Sequence, residues 1–290
     1  MTLINTVLYF LSFKTLWWQD KSTFNRLLSR IIHKLVPFIS FILRKKTIKK
    51  IIILSALLAI CAVSSTTIAG GSIPSSSRSR EAISRVKPQI EKDFANKNIK
   101  FGASIYIRIF KEEKELEIWV SQNKRFTLFR KYPICTYGNG SLGPKTRQGD
   151  GQAPEGFYYV KPNKLNPVSN FHLSFNLGYP NKYDRIHQRT GGALMVHGNC
   201  VSIGCYAMTD EKIEEIFAIV DAALRNGQSF FRAHIFPFRM TIENMQRHRN
   251  SKWYPFWQNL KEGYDFFEKH GNTPPNVEVE NRRYVFNKSR

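Results

Sequence analysis

The stretch from Val196 to Met208, VHGNCVSIGCYAM, sets His197 close to Cys200 and Cys205. A histidine and two cysteines at this spacing support three chemistries: a metal site, a disulfide, or a thiol nucleophile with its base. Zinc would take these three ligands with His172, His187 or His234 as a fourth. Structural zinc sites usually draw paired ligands from two short knuckles, and the chain holds no second pair, so no metal is expected. A nucleophilic cysteine needs a base within reach and backbone donors facing the tetrahedral oxyanion. Cys205 follows Ser202, Ile203 and Gly204, and that glycine lets the chain turn tightly and present the amides of Gly204 and Cys205. Cys200 has no such glycine, but its closeness to His197 keeps it in play. The bland alternative makes both thiols small buried hydrophobes and His197 a satisfied core histidine.

The flanking elements favour a positioned site. ASIYIRIF, ELEIWV and RFTLFRKYPIC are rich in β-branched and aromatic residues, and charged residues separate the first two as in a hairpin. Thr136 to Gly156 carries six glycines and two prolines in 21 residues, which predicts a long shaped loop on a rigid sheet. Strands resume with FYYV, FHLSFNLG and GALMVHG. A helix is expected from Thr209, a good N-cap, with Asp210 and Glu211 in its first turn. Its apolar positions Ile213, Ile216, Phe217, Val220 and Leu224 recur at spacings of three and four, so one face is buried. SFFRAHIFP predicts another strand, and two helices follow around residues 242–248 and 255–269, then a proline turn and a short strand at RRYVF. The fold class is mostly β with associated helices.

With 42% hydrophobic and 13% aromatic residues in 290, the chain can bury a sizeable core. Its formal charge is +22; residues 1–69 hold ten Lys/Arg and one Asp, leaving +13 behind them. Such charge suits nucleic acid, anionic lipid or an acidic cell-wall polymer, but no zinc-finger spacing, phosphate loop or recognition helix supports nucleic acid. RKKTIKK, then the apolar run from Ile51 to Val63, then a small-residue end at Ala69 is a secretory signal pattern. The nineteen uncharged residues from Ile51 to Ala69 would equally serve as an anchor, and residues 1–43 fit neither version well. Residues 70–98 read as linker and short helix, with Pro88 bending or dividing the helix; 99–237 as the catalytic core; and 238–290 as a helical extension. Behind residue 69 stand Cys135, Cys200 and Cys205. An odd count in an oxidising compartment leaves at least one thiol free, which catalysis would explain. Cys135 and Cys200 are expected to be structural and available to bond to each other, with Cys205 reduced; a Cys200–Cys205 bridge is the alternative.

MVHGNCVSIGCYAM resembles the signature of the L,D-transpeptidase catalytic domain (YkuD-type) at His197, Gly198, Ser202, Gly204, Cys205 and Met208. GDGQAPEG, from Gly149 to Gly156, is similar to a glycine and Thr-Pro-x-Gly turn of that family, with Ala153 for threonine. The resemblance covers residues 100–237, and its likeness to the YafK-type periplasmic branch, through LGPKTRQGD, FPFRMTIENMQRH and GYDFFE, runs nearly to residue 270. It implies a β-sandwich core and acyl transfer on peptidoglycan stem peptides at diaminopimelate. Cys205 would be the nucleophile, His197 the base and then the acid, and the Gly198 carbonyl would orient the imidazole. No cofactor is implied. The branch is associated with removing a peptidoglycan-bound outer-membrane lipoprotein, in the periplasm of a Gram-negative bacterium, free or anchored in the inner membrane. Two departures bear on substrate: an eight-residue interval from His197 to Cys205, shorter than the family's, and Ala207 where many members carry arginine. Lys145 and Arg147 are candidates for holding substrate carboxylates, and His172, Ser202 and Tyr206 for lining the cleft. Forming 3-3 cross-links between stem peptides, attaching lipoprotein, and non-catalytic binding of peptidoglycan in the envelope remain as rival readings.

Overall fold

The computed structural model describes residues 73–123 and 125–287; the signal or anchor expected in residues 1–69 lies outside them. Two five-stranded sheets form the frame. The first is built from β1 (Ile105–Phe110), β2 (Glu115–Gln122), β3 (Arg125–Pro133), β5 (Gly156–Val160) and β10 (Phe231–Phe236), in the order β3-β2-β1-β10-β5. The second contains β4 (Thr136–Tyr137), β6 (Leu165–Asn166), β7 (Ser174–Asn176), β8 (Met195–His197) and β9 (Tyr206–Ala207), in the order β4-β9-β8-β7-β6.

Every residue of β1 is buried, because the first sheet is covered on both faces. Ile105, Ile107 and Ile109, with Phe231, Ala233 and Ile235 of the parallel neighbour β10, enter a core shared with the second sheet. Helix α3 (Asp210–Arg225) adds Ile213, Ile216, Phe217, Val220 and Leu224 to that core, the stripe its spacing predicts, and Thr209 caps it by accepting from the Lys212 amide. Phe110 and Phe236 belong to a second core with Trp257, Leu260, Val279 and Tyr284. These come from the C-terminal segment, where α4 (Ile242–Arg247) and α5 (Tyr254–Lys269) are followed by the hairpin of β11 (Asn276–Glu280) and β12 (Arg283–Asn287). The extension expected as helical therefore also carries a hairpin, and it covers one face of the first sheet. A short helix, α2 (Lys182–Ile186), lies between β7 and β8.

Helix α1 (Ser77–Asn96) begins earlier than the linker-like composition suggests, because its serines cap it: Ser76 Oγ accepts from the Ser79 amide and Ser79 Oγ accepts from the Ser76 amide. It runs through Pro88 undivided. Pro88 and Ser84, whose carbonyl Pro88 cannot satisfy, are both exposed, so water can serve that group. Ala82, Ile90 and Phe94 join the first core, and Arg85 binds Glu214 of α3 through two hydrogen bonds of 3.0 and 2.7 Å.

Candidate active site

Strands β8 and β9 run parallel at the middle of the second sheet, with Val196 opposite Tyr206 and His197 opposite Ala207. Val196 and Tyr206 are fully buried in the core, so His197 and Cys205, each one residue away, share the other face. Continuing the register sets Cys205 level with Met195, and the Met195 amide donates to Cys205 Sγ at 3.4 Å. His197 and Cys205 are then a diagonal pair on neighbouring strands.

His197 is buried, its ring packed on Phe171 with centroids 4.6 Å apart. Its Nδ1 lies 2.6 Å from the Gly198 carbonyl oxygen. A carbonyl only accepts, so Nδ1 carries the proton and Nε2 keeps a free lone pair. Burial pushes the imidazole below 6.5, and the bond to Gly198 only partly offsets it. Burial raises the Cys205 thiol above 9.0, against the opposing pull of the Met195 amide and the Lys145 charge. Both groups are therefore pushed toward their neutral forms, and Cys205 Sγ donates to the Ala193 carbonyl at 3.6 Å. Gly198 fits only as glycine: a Cβ there would stand 2.4 Å from Asp210 Oδ1, 3.0 Å from Ile213 Cγ2 and 3.1 Å from His172 Cβ.

Cys135 and Cys200 are bonded to each other, and Cys205 is the free thiol among the described residues. With Cys200 in a disulfide and His197 Nδ1 on a carbonyl, His197, Cys200 and Cys205 are not a metal ligand set. The disulfide ties the β8–β9 loop to the end of β3, where Asn199 and Cys200 both take left-handed backbone at φ 65° and 48°.

The turn before Cys205 differs from the expected pair of open amides. The Gly204 amide donates to Ser202 Oγ at 3.0 Å, which leaves the Cys205 amide of that pair for an oxyanion. Ser202 Oγ also accepts from the Gly138 amide at 3.2 Å and donates to the Cys205 carbonyl at 2.8 Å. Its hydroxyl is thus committed inside the protein and fastens the Cys205 turn to the glycine-rich loop, instead of meeting substrate. Tyr206 is likewise not a cleft residue: it is fully buried and its hydroxyl donates to the Pro154 carbonyl at 2.7 Å. His172 turns to α3, with Nε2 2.8 Å from Glu214 Oε1.

Lys145 is buried and donates to Asp150 Oδ1 at 2.8 Å and to the Arg147 carbonyl at 3.0 Å. It organises its own loop rather than offering an open carboxylate clamp. Arg147 is exposed and its guanidinium has no partner among the described residues. Asp150 was not picked out from sequence. Its carboxylate accepts from Lys145 and from the amides of Thr146, Arg147 and Gln152. Burial alone would raise this carboxyl, but those donors more than offset it and hold it well below the usual carboxylate range. A carboxylate five residues after a lysine and between two glycines, as in KTRQGDG, is the signal that could expose it. Phe171 was also missed, since only the pairing of β7 with β8 brings it to His197.

This arrangement sets a free thiol and a buried imidazole of defined tautomer on neighbouring strands of one sheet. Residues 104–225 match the family model of the L,D-transpeptidase catalytic domain, YkuD. Over 240 residues, 83% of this chain and 91% of the relative, the sequence is 45% identical to "Putative L,D-transpeptidase YafK" of Escherichia coli. Among solved structures it is similar to the helical cell shape determining protein Pgp2 of Campylobacter jejuni, with TM-score 0.38, 15% identity, 66% of this chain and 80% of that one covered. It is also similar to Bd1075 of Bdellovibrio bacteriovorus, with TM-score 0.34, 15% identity, 62% and 78% covered. The chain belongs to the L,D-transpeptidase (YkuD) family, whose members act on peptidoglycan stem peptides.

Proposed function

We propose that this protein is an exported cysteine amidase that cleaves the amide joining a stem-peptide diaminopimelate to a bound envelope lipoprotein. The observation that carries the chemistry is Cys205, the free thiol at the start of β9, with an imidazole on the neighbouring strand β8 whose Nδ1 is held on the Gly198 carbonyl. His197 Nε2 takes the thiol proton as Sγ bonds to the scissile carbonyl carbon, and the Cys205 amide faces the developing oxyanion. The tetrahedral intermediate collapses, the C–N bond breaks, and the amine leaves with the proton returned by His197. Water then adds to the thioester with His197 again as base, releasing carboxylate and regenerating the thiol.

Hydrolysis over transfer to an amine is supported by the short loop beside the half-buried thiol. The eight-residue interval from His197 to Cys205 is drawn back to Cys135 by the disulfide, while Val201 and Ile203 point outward, 52% and 93% exposed. Cys205 itself keeps part of its surface open, so water competes for the thioester. Ala207 is fully buried between β4 and β8 and offers no guanidinium for a second stem peptide, whereas Arg147 stands free for a single one. Location in an oxidising compartment, the periplasm in this reading, is supported by the disulfide.

The test is incubation with purified sacculi, with and without attached lipoprotein, and mass identification of the products. Lipoprotein release with little stem-peptide dimer is expected, and Cys205→Ala should abolish it while keeping the fold. Efficient dimer formation without release would replace this reading with cross-linking. Absence of any Cys205-dependent product would leave a binding protein.

A further inference from the structure

The C-terminal segment reaches the catalytic turn through a fully buried polar network. Lys111, just past β1, donates to the Gly143 carbonyl at 2.7 Å, the Ala153 carbonyl at 3.2 Å and Glu155 Oε1 at 3.1 Å. Glu155 Oε1 also accepts from the Gly143 amide at 2.7 Å, and its Oε2 accepts from Trp257 Nε1 of α5 at 2.8 Å. Lys111 and Glu155 are both 0% exposed, so each depends on these partners; a buried pair stripped of one partner is left with an uncompensated charge. The residues gathered here, Gly143, Ala153 and Glu155, pin both ends of the loop that holds Lys145 and Asp150. Trp253 seals one end: a Cβ on Gly143, at φ 110°, would stand 2.3 Å from its Nε1.

From that loop two bonds lead to the nucleophile. Next to Glu155, the Pro154 carbonyl accepts from Tyr206, the residue after Cys205. Further up the loop, the Gly138 amide meets Ser202 Oγ, which also holds the Gly204 amide and the Cys205 carbonyl. We infer that Trp257 and Glu155 are positioning residues for Cys205: helix α5 sets the height and tilt of the Cys205 turn through Glu155, Pro154 and Tyr206, though neither Trp257 nor Glu155 touches the thiol. The C-terminal segment would then be part of the catalytic apparatus and not an appendage. For turnover the inference rests on the proposed amide cleavage; for the thiol itself it does not.

Trp257→Phe keeps an aromatic ring but removes the donor to Glu155 Oε2, and it tests the inference in two assays on the whole exported protein. Turnover on lipoprotein-loaded sacculi should fall about tenfold with KM changed less than twofold, the pattern of a displaced reacting group. Independently of any substrate, the rate of Cys205 alkylation by iodoacetamide, followed across pH, should change in both midpoint and plateau. Phe94→Leu serves as the control for simple loss of stability, since Phe94 is buried on α1 against Phe101 and Phe129 and makes no bond to the loop or to α5. That variant should match wild type in both assays below its unfolding temperature. Equal effects of the two variants, or a Trp257→Phe protein with wild-type alkylation, would overturn the inference. If sacculi yield no product even with wild type, the amidase reading fails while the alkylation profiles still decide this one.

Discussion

Replacing Cys135 and Cys200 together by alanine tests how far the disulfide holds the catalytic loop. The bond closes a loop of 65 residues, for which the chain-entropy relation gives a stabilisation of about 4 kcal/mol. In a folded unit of this size each kcal/mol shifts Tm by about 2–4 °C, so a fall of roughly 8–16 °C is expected. The bond also shapes the loop locally. Asn199 and Cys200 sit in left-handed backbone, a placement that costs about 1–2 kcal/mol per residue for L-residues and is held partly by the sulfur tether. The Cys200 amide still donates to Met208 and the Cys135 amide to Ala207, at 3.0 and 2.9 Å, so the strand frame survives while the intervening loop relaxes. Denaturant melts of wild type, of wild type with reductant and of the double variant should show the last two coinciding. Activity at a temperature well below both melts should fall further than the unfolded fraction accounts for. A stability loss under about 1 kcal/mol would refute the entropic argument. Full activity in a destabilised variant would refute the claim that the tether shapes the site.

The pH dependence follows from burial. His197 is pulled below 6.5 and must be neutral to act as base, so kcat/KM should rise with pH through a midpoint below that value. The Cys205 thiol is pushed above 9.0, so its alkylation should still be climbing there; a rate already flat from pH 5 to 8 would mean a preformed thiolate–imidazolium pair. Gly198→Ala should cost about 1–3 kcal/mol by overpacking against Asp210, Ile213 and His172, and lower kcat because the carbonyl holding His197 moves; a denaturant melt and a rate measurement check the two parts. Asp150→Asn should cost about 2 kcal/mol, since an amide cannot accept from Lys145 and three backbone amides together. The wild-type carboxyl is held below 3.8, so its contribution is complete above that pH and lost as pH falls through the folded value; the gap between wild type and variant should close in acid.

The elements legible in the sequence are those whose own residues bury a face. Helix α3 announces itself by a stripe from Ile213 to Leu224 and a capping threonine, and β1, β2, β3, β5 and β10 by runs of β-branched and aromatic residues. Strands β4 and β9 have two residues each, too short for any period, and exist because Thr136 and Tyr137 pair with Ala207 and Tyr206. The serines before residue 80 resemble linker in composition, yet capping by Ser76 and Ser79 turns the same polarity into a helix start.

The two glycines of the site show where local reasoning stops. Gly204 reads in sequence as the tight turn, but a Cβ there would meet Gln152 O and Leu194 Cδ1 at an ordinary 3.5 Å, and its amide is spent on Ser202. Gly198 was read for its carbonyl, and it is the position where α3 and His172 leave no space for a side chain. Both outcomes depend on residues distant in sequence: Gln152 comes from the loop and Asp210 from the helix. The same holds for Glu155, whose environment is made by Lys111 on one side and Trp257 on the other, 44 and 102 residues away along the chain. A motif of thirteen residues can therefore point to the free thiol and to the imidazole on the neighbouring strand. The height of that thiol above the sheet is set by contacts that only the folded chain assembles.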